Sequence, residues 1–163
     1  MTDTNSGKLT VSNSEMPLLP LKDIVVFPNM IVPVFINEDL CINAVESAMA
    51  KQRKIFLSAF KVAGHEGEGL EAKLEPPFDV YDIGTVCTIM RTRKLPDGRM
   101  KVLVQGLHKA SVKELIESEP YPKVFVQTIQ EAKVTNNSSE VEALIRSVRD
   151  SLEKVVALGK VLS

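Results

Sequence analysis

The tetrapeptide Leu95-Pro96-Asp97-Gly98 stands between two β-prone runs, Tyr81 to Arg93 and Met100 to Val112, and constrains the chain more than any other feature. Proline at the second turn position presets φ near its own fixed value, Asp follows, and glycine can enter the left-handed region. That combination suits a type I turn closed by a left-handed residue, the connection of a β-hairpin. A positive φ is therefore expected at Gly98.

The other elements are read around this hairpin. Met16 to Ile36 (MPLLPLKDIVVFPNMIVPVFI) is rich in large apolar residues but broken by Pro17, Pro20, Pro28 and Pro33. Proline cannot donate to a ladder, so short edge or bent strands are expected here, with an ordered apolar loop between Lys22 and Met30. Asn37-Glu38-Asp39 opens a helix that Asn37 can cap, with Cys41, Ala44, Val45, Ala48 and Met49 on one apolar face. Ile55 to Val62 and Val124 to Ile129 read as strands, and residues 63–79 as a glycine- and glutamate-rich surface loop. Beyond Asn136-Asn137-Ser138-Ser139 the apolar spacing becomes helical, through Val141, Leu144, Ile145, Val148, Leu152, Val155 and Val156. Ser138 or Ser139 caps that helix. The expected architecture is α+β: a disordered polar tail over 1–15, a compact mostly-β unit with one early helix over 16–134, and a helical arm over 135–163. Within the arm, Val141, Ile145, Val148, Leu152 and Val155 alternate at spacings of four and three, a short coiled-coil seam that predicts weak self-association as a homodimer.

Charge and cysteine usage narrow the function. Twenty basic against twenty-one acidic residues do not favour a nucleic-acid partner, which usually demands a basic excess. No apolar run approaches the roughly 20 residues of a membrane span, and the first fifteen residues lack the apolar core of a secretory signal. Cys41 and Cys87 stand far apart without metal-ligand spacing and read as small buried hydrophobes of a protein in the reducing cytoplasm.

Candidates for chemistry fall away in turn. His65 and His108 lie in no metal or Cys/His motif. Gly64 and Gly69 have P-loop spacing, but Leu70 and Glu71 occupy the lysine and hydroxyl positions that hold phosphate and magnesium. The run Gly67 to Ala72 mimics a dinucleotide fingerprint, yet Glu66, Glu68 and Glu71 repel a pyrophosphate and Pro76-Pro77 stops any helix. No catalytic residue, cofactor or metal is therefore assigned. Arg91, Arg93, Lys94, Arg99 and Lys101 cluster around the hairpin tip and could touch RNA or an acidic partner surface; no aromatic is interleaved for base stacking, and a solubilising tip is preferred to either contact. The proline-bounded apolar loop is left. On the residues alone it is either all core or partly an exposed binding surface; the candidates for that surface are Ile24, Val26, Phe27, Met30 and Ile31.

The same loop carries a family resemblance. Pro17-Leu18-Leu19-Pro20-Leu21-Lys22-Asp23-Ile24-Val25-Val26-Phe27-Pro28, continued by Asn29 to Phe35, closely resembles the opening of the amino-terminal domain of Lon-type ATP-dependent proteases. Asp82-Ile83-Gly84-Thr85-Val86 is similar to a family strand, and Leu95 to Gly98 with Lys101 to Gly106 and Lys109-Ala110 to its hairpin. Order and spacing hold from about Met16 to Glu131, with Lys22 in place of the usual arginine and Gln105 in place of glutamate. The resemblance implies a small PUA-like β fold followed by helices leading into an ATPase ring and a Ser-Lys peptidase. Neither of those modules is matched, and the last helix halts at Leu162-Ser163 without a stop signal, so an excised fragment is expected. The expected function is non-catalytic capture of unfolded, damaged or tagged proteins for the rest of a hexameric protease. A stand-alone PUA-like domain binding RNA or a small ligand is the alternative.

Overall fold

The computed structural model describes residues 13–22, 24–61, 79–117, 119–130 and 138–159. Residues 1–12, Asp23, the 62–78 stretch with His65 and the glycine patterns, and most of the polar break from Thr135 to Ser139 lie outside the described residues. Asn13, Ser14 and Glu15, expected in the disordered tail, instead begin the first strand, opposite Gln127, Val126 and Phe125. The chain divides into two compact units, residues 1–130 and 131–163.

The first unit is built from β1 (Asn13–Leu21), β2 (Ile31–Ile36), α1 (Asp39–Ala50), β3 (Lys54–Ala59), β4 (Ile83–Lys94), β5 (Met100–Glu117) and β6 (Lys123–Thr128). Sheet order is β2-β5-β4-β3-β1-β6, and β6 also pairs with β5, so five strands close into a barrel. The long β5 makes closure possible. Opposite β4 it pairs with β2 over Met100–Gln105 and with β6 from Ala110 onward.

The prolines are accommodated by dividing the pairing. β1 pairs with β6 from Asn13 to Pro17 and with β3, in parallel, from Leu18 to Leu21. Although β1 lies inside the sheet order, each half is laddered on one side only, so Pro17 and Pro20 remove few bonds. β2 pairs only with β5. Gly106 N donates to Met30 O at 2.9 Å, and main-chain groups alternate sides along a strand. Those of Val32, Val34 and Ile36 therefore face β5, and those of Ile31, Pro33 and Phe35 face the free edge. Pro33 costs no ladder bond.

Two apolar clusters fill the unit. Leu18, Phe56, Val86, Val124 and Val126 form one; Leu19, Ile55, Leu57, Cys87 and Ile89 pack against the helix residues Cys41, Val45 and Ala48 in the other. Successive residues of β1 and β3 point into different clusters, which is why both strands read as continuous apolar runs rather than alternating ones. Asn37 does not cap α1 as expected. Glu38 is the N-cap, without a side-chain bond to the helix, because the helix starts one residue later than Asn37 would need. β3 ends at Ala59, short of Val62, and β5 runs five residues past Val112 because β6 gives its second half a partner.

The hairpin turn is as expected. Gly98 has φ +84°, Gly98 N donates to Leu95 O at 3.1 Å, and Leu95 N to Arg99 O at 2.8 Å. A Cβ at Gly98 would meet nothing within 4 Å, so only the backbone opposes substitution. Gly98→Val is expected to cost roughly 1–2 kcal/mol through the left-handed φ. In thermal denaturation that lowers Tm by about 3 °C or more; an unchanged melt would mean the turn readily adopts another form.

The second unit contains α2 (Ser139–Ala157). Ser138 Oγ accepts from Val141 N at 3.3 Å as N-cap, Glu140 and Glu142 occupy the first turn and Lys154 the last, each complementing the helix dipole. Leu144, Ile145, Val148, Leu152, Val155 and Val156 are all exposed.

Candidate functional site

The site begins with two hydroxyls and a glycine that hold loops against the barrel. Thr85, on β4, is buried, and its Oγ1 donates to Val26 O at 2.6 Å. Gly106, on β5, receives the loop end-on: Asn29 N donates to Gly106 O and Gly106 N to Met30 O, both at 2.9 Å. Asn29 turns the chain there with φ +68°. Ser58, on β3, is also buried and donates to Tyr81 O at 2.6 Å, while Tyr81 N donates to Ala59 O at 2.9 Å. The segments 24–27 and 81–83 are thereby pinned as two walls.

Between them lies a groove of about 470 Å³, floored by Leu57, Ala59 and Gly84. The floor at Gly84 admits no side chain, since a Cβ would collide with the Leu57 carbonyl oxygen and the Phe56 ring. On the rim Val25, Phe27, Tyr81 and Ile83 are 54%, 59%, 55% and 60% exposed. Such a density of large apolar side chains around one concavity is the surface form of a binding site for apolar groups. The Ser58 and Thr85 hydroxyls are spent on the walls, and the charged side chains that line the groove are Asp82 and Lys109.

Of the five residues expected on the surface, the structure brings Ile24, Val26 and Phe27 to this groove and leaves Met30 and Ile31 outside it. Val26 belongs to the core at 4% exposure, and Ile24 and Met30 are partly buried against the same cluster. Ile31 is exposed but begins β2. Val25, Tyr81 and Ile83 replace them on the rim. The apolar-polar alternation of Tyr81-Asp82-Ile83, leading into β4, was the available signal for an exposed face.

Burial pushes both cysteine thiols up to about 12, with the Glu38 charge adding to the effect at Cys41, so neither is a thiolate near neutral pH. His108 has its pKa lowered by burial and by the Lys54 charge, and its Nε2 lies 3.3 Å from Thr128 Oγ1. Among the described residues no group of three His, Cys, Asp or Glu is placed to hold a metal, and no helix is long and apolar enough to cross a membrane.

The family profile for the ATP-dependent protease La (LON) substrate-binding domain matches residues 15–163. The chain belongs to the Lon substrate-binding domain family. The Lon protease of Geobacter metallireducens is 46% identical over 149 residues, covering 91% of this chain and 17% of that protein. Lon protease 2 of Bdellovibrio bacteriovorus is 44% identical over 148 residues, covering 91% and 18%. The chain thus spans less than a fifth of the length of these relatives. Among solved structures, the N-terminal domain of the Mycobacterium avium complex Lon protease superposes with a TM-score of 0.59 at 18% identity, covering 91% of this chain and 76% of that one. The Lon N-terminal domain protein from Xanthomonas campestris superposes at 0.61 with 15% identity, covering 85% and 73%. These two share its fold. Gly84, Thr85 and Gly106, which lie in the segments that resemble Lon, are here the residues that floor the groove and anchor its loop wall.

Proposed function

We propose that this domain captures unfolded, damaged or tagged polypeptides in the cytoplasm for a longer Lon protease, whose hexameric ATPase and peptidase act on what it holds. The supporting observation is the groove: a preformed apolar concavity whose rim leaves four large side chains more than half exposed. Unfolded chains differ from folded ones chiefly in presenting large apolar side chains, and such a groove accepts them without demanding a sequence. The domain itself supplies binding and no bond-breaking step. A second part of the proposal concerns α2, whose exposed stripe of Ile145, Val148, Leu152 and Val155, with half-buried Val141, pairs with the same stripe of a second copy.

The groove is tested by combining Val25→Ser with Ile83→Ser. Both side chains are largely exposed, so the melting transition is expected to hold within a few degrees. Binding of a fluorescent denatured protein, followed by anisotropy, is expected to weaken about tenfold or more, or ~1.4 kcal/mol. Undiminished binding with an intact fold would reject the groove as the capture site.

A further inference from the structure

The basic cluster at the hairpin does not stand alone once the sheet is assembled. Residues opposite one another in an antiparallel pair share a face. Phe35 lies opposite Lys101, and Lys101 opposite Arg93. One row along, Pro33 lies opposite Leu103 and Leu103 opposite Arg91. The outward face of β2, β5 and β4 therefore carries an apolar column along the edge strand (Ile31, Pro33, Phe35) beside a cationic one. Contacts confirm the grouping: Lys101 Nζ lies 5.7 Å and the Arg99 guanidinium 5.9 Å from the centre of the Phe35 ring.

These groups are available. Ile31 and Phe35 are 54% and 52% exposed. The other two cations of the hairpin are engaged, Lys94 with Glu46 at 3.0 Å and Arg99 with Asp97 in the turn at 2.6 Å. Arg91, Arg93 and Lys101 have no carboxylate partner among the described residues. None of the residues on this face lines the groove.

We propose that the outward face of β2, β5 and β4 is a second docking surface, taking an acidic amphipathic polypeptide segment whose apolar side chains cover Ile31, Pro33 and Phe35 and whose carboxylates meet Lys101, Arg91 and Arg93. Charge complementarity selects the partner: three unpaired cations beside a narrow apolar column match carboxylates flanking an apolar stripe. Pro33 withholds a donor from the free edge, which disfavours adding a strand to β2, so the segment lies across the face. Phe35 is the single aromatic among the residues named on this face, too few for stacking successive bases, which disfavours single-stranded nucleic acid. This surface is independent of the groove and of what the groove captures.

The test uses the whole chain and three fluorescent probes in anisotropy titrations: an amphipathic peptide with glutamates flanking a leucine stripe, its glutamine isostere, and a single-stranded oligonucleotide. The acidic peptide is expected to bind saturably, at least tenfold more tightly than the isostere, and to weaken as salt rises. Combining Arg91→Gln with Arg93→Gln is expected to reduce its affinity about tenfold without moving the melt, and Phe35→Ser to do the same with an intact fold. The groove variant, Val25→Ser with Ile83→Ser, is expected to bind it normally. Equal binding of the isostere, tighter binding of the oligonucleotide, indifference to the arginine substitutions, or loss of binding in the groove variant would each overturn the proposal.

Discussion

Replacing Gly106 with alanine is expected to lower Tm by roughly 10 °C. The added Cβ would collide with the Phe27 carbonyl oxygen and lie 3.0 Å from the Phe27 carbonyl carbon and 3.2 Å from Pro28 Cα. All three are backbone atoms of a loop bonded to Gly106 itself through Asn29 N and Met30 O. Relief therefore requires the loop to leave β5, breaking two hydrogen bonds worth about 1 kcal/mol each. Overpacking strain adds about 1–3 kcal/mol, for a total of roughly 3–5 kcal/mol. The same displacement would pull Val25 and Phe27 from the groove wall, so capture of denatured protein should fall with stability. Gln105→Ala, one residue away and half-buried, is the control and should melt within a few degrees of the parent. A Gly106→Ala protein that melts like the parent would show that the loop is not seated through this glycine.

A second large effect is expected in solution assembly rather than in stability. Under the proposed pairing of α2, sedimentation velocity should show a dimer fraction that grows with concentration. Leu152→Glu places a carboxylate in the middle of the stripe, where pairing would have to bury it without a partner charge. Dissociation should become at least tenfold easier, about 1.4 kcal/mol or more. Leu152 is half-exposed in the single chain, and α2 keeps its Ser138 cap and its charged ends, so the melt of the barrel unit should not change. A parent that sediments as a monomer at every concentration, or a Leu152→Glu chain that loses the barrel transition, would sink the pairing.

Much of the domain was legible in residue order because the informative features are local. The Pro96-Asp97-Gly98 turn declares its own dihedrals, so the hairpin and the positive φ of Gly98 follow from three residues. The faces of α1 and α2 follow from spacing, and a cap at Ser138 or Ser139 from the hydroxyls before an apolar run, of which the structure uses Ser138. The family could be read from the segments around Gly84, Thr85 and Gly106, although their role as floor and anchors of a groove could not.

What escaped sequence reading depends on partners distant along the chain. Asn37 is a good cap by type, but the helix begins at Asp39 and leaves the cap position to Glu38. Val26 and Val25 are adjacent valines in one loop, and composition offers no means to tell them apart. Val26 is buried because its carbonyl meets Thr85, 59 residues on, which rotates Val25 to the rim beside Tyr81 and Ile83. The hairpin cations lacked an aromatic neighbour in sequence, and β2 supplied Phe35 by pairing with β5. Residue order alone thus determined the elements, their periodicity and the family, since turns, caps and amphipathic faces are set within a few residues. Only the tertiary structure decided which apolar side chains stay in water, because exposure is a property of what packs from across the barrel.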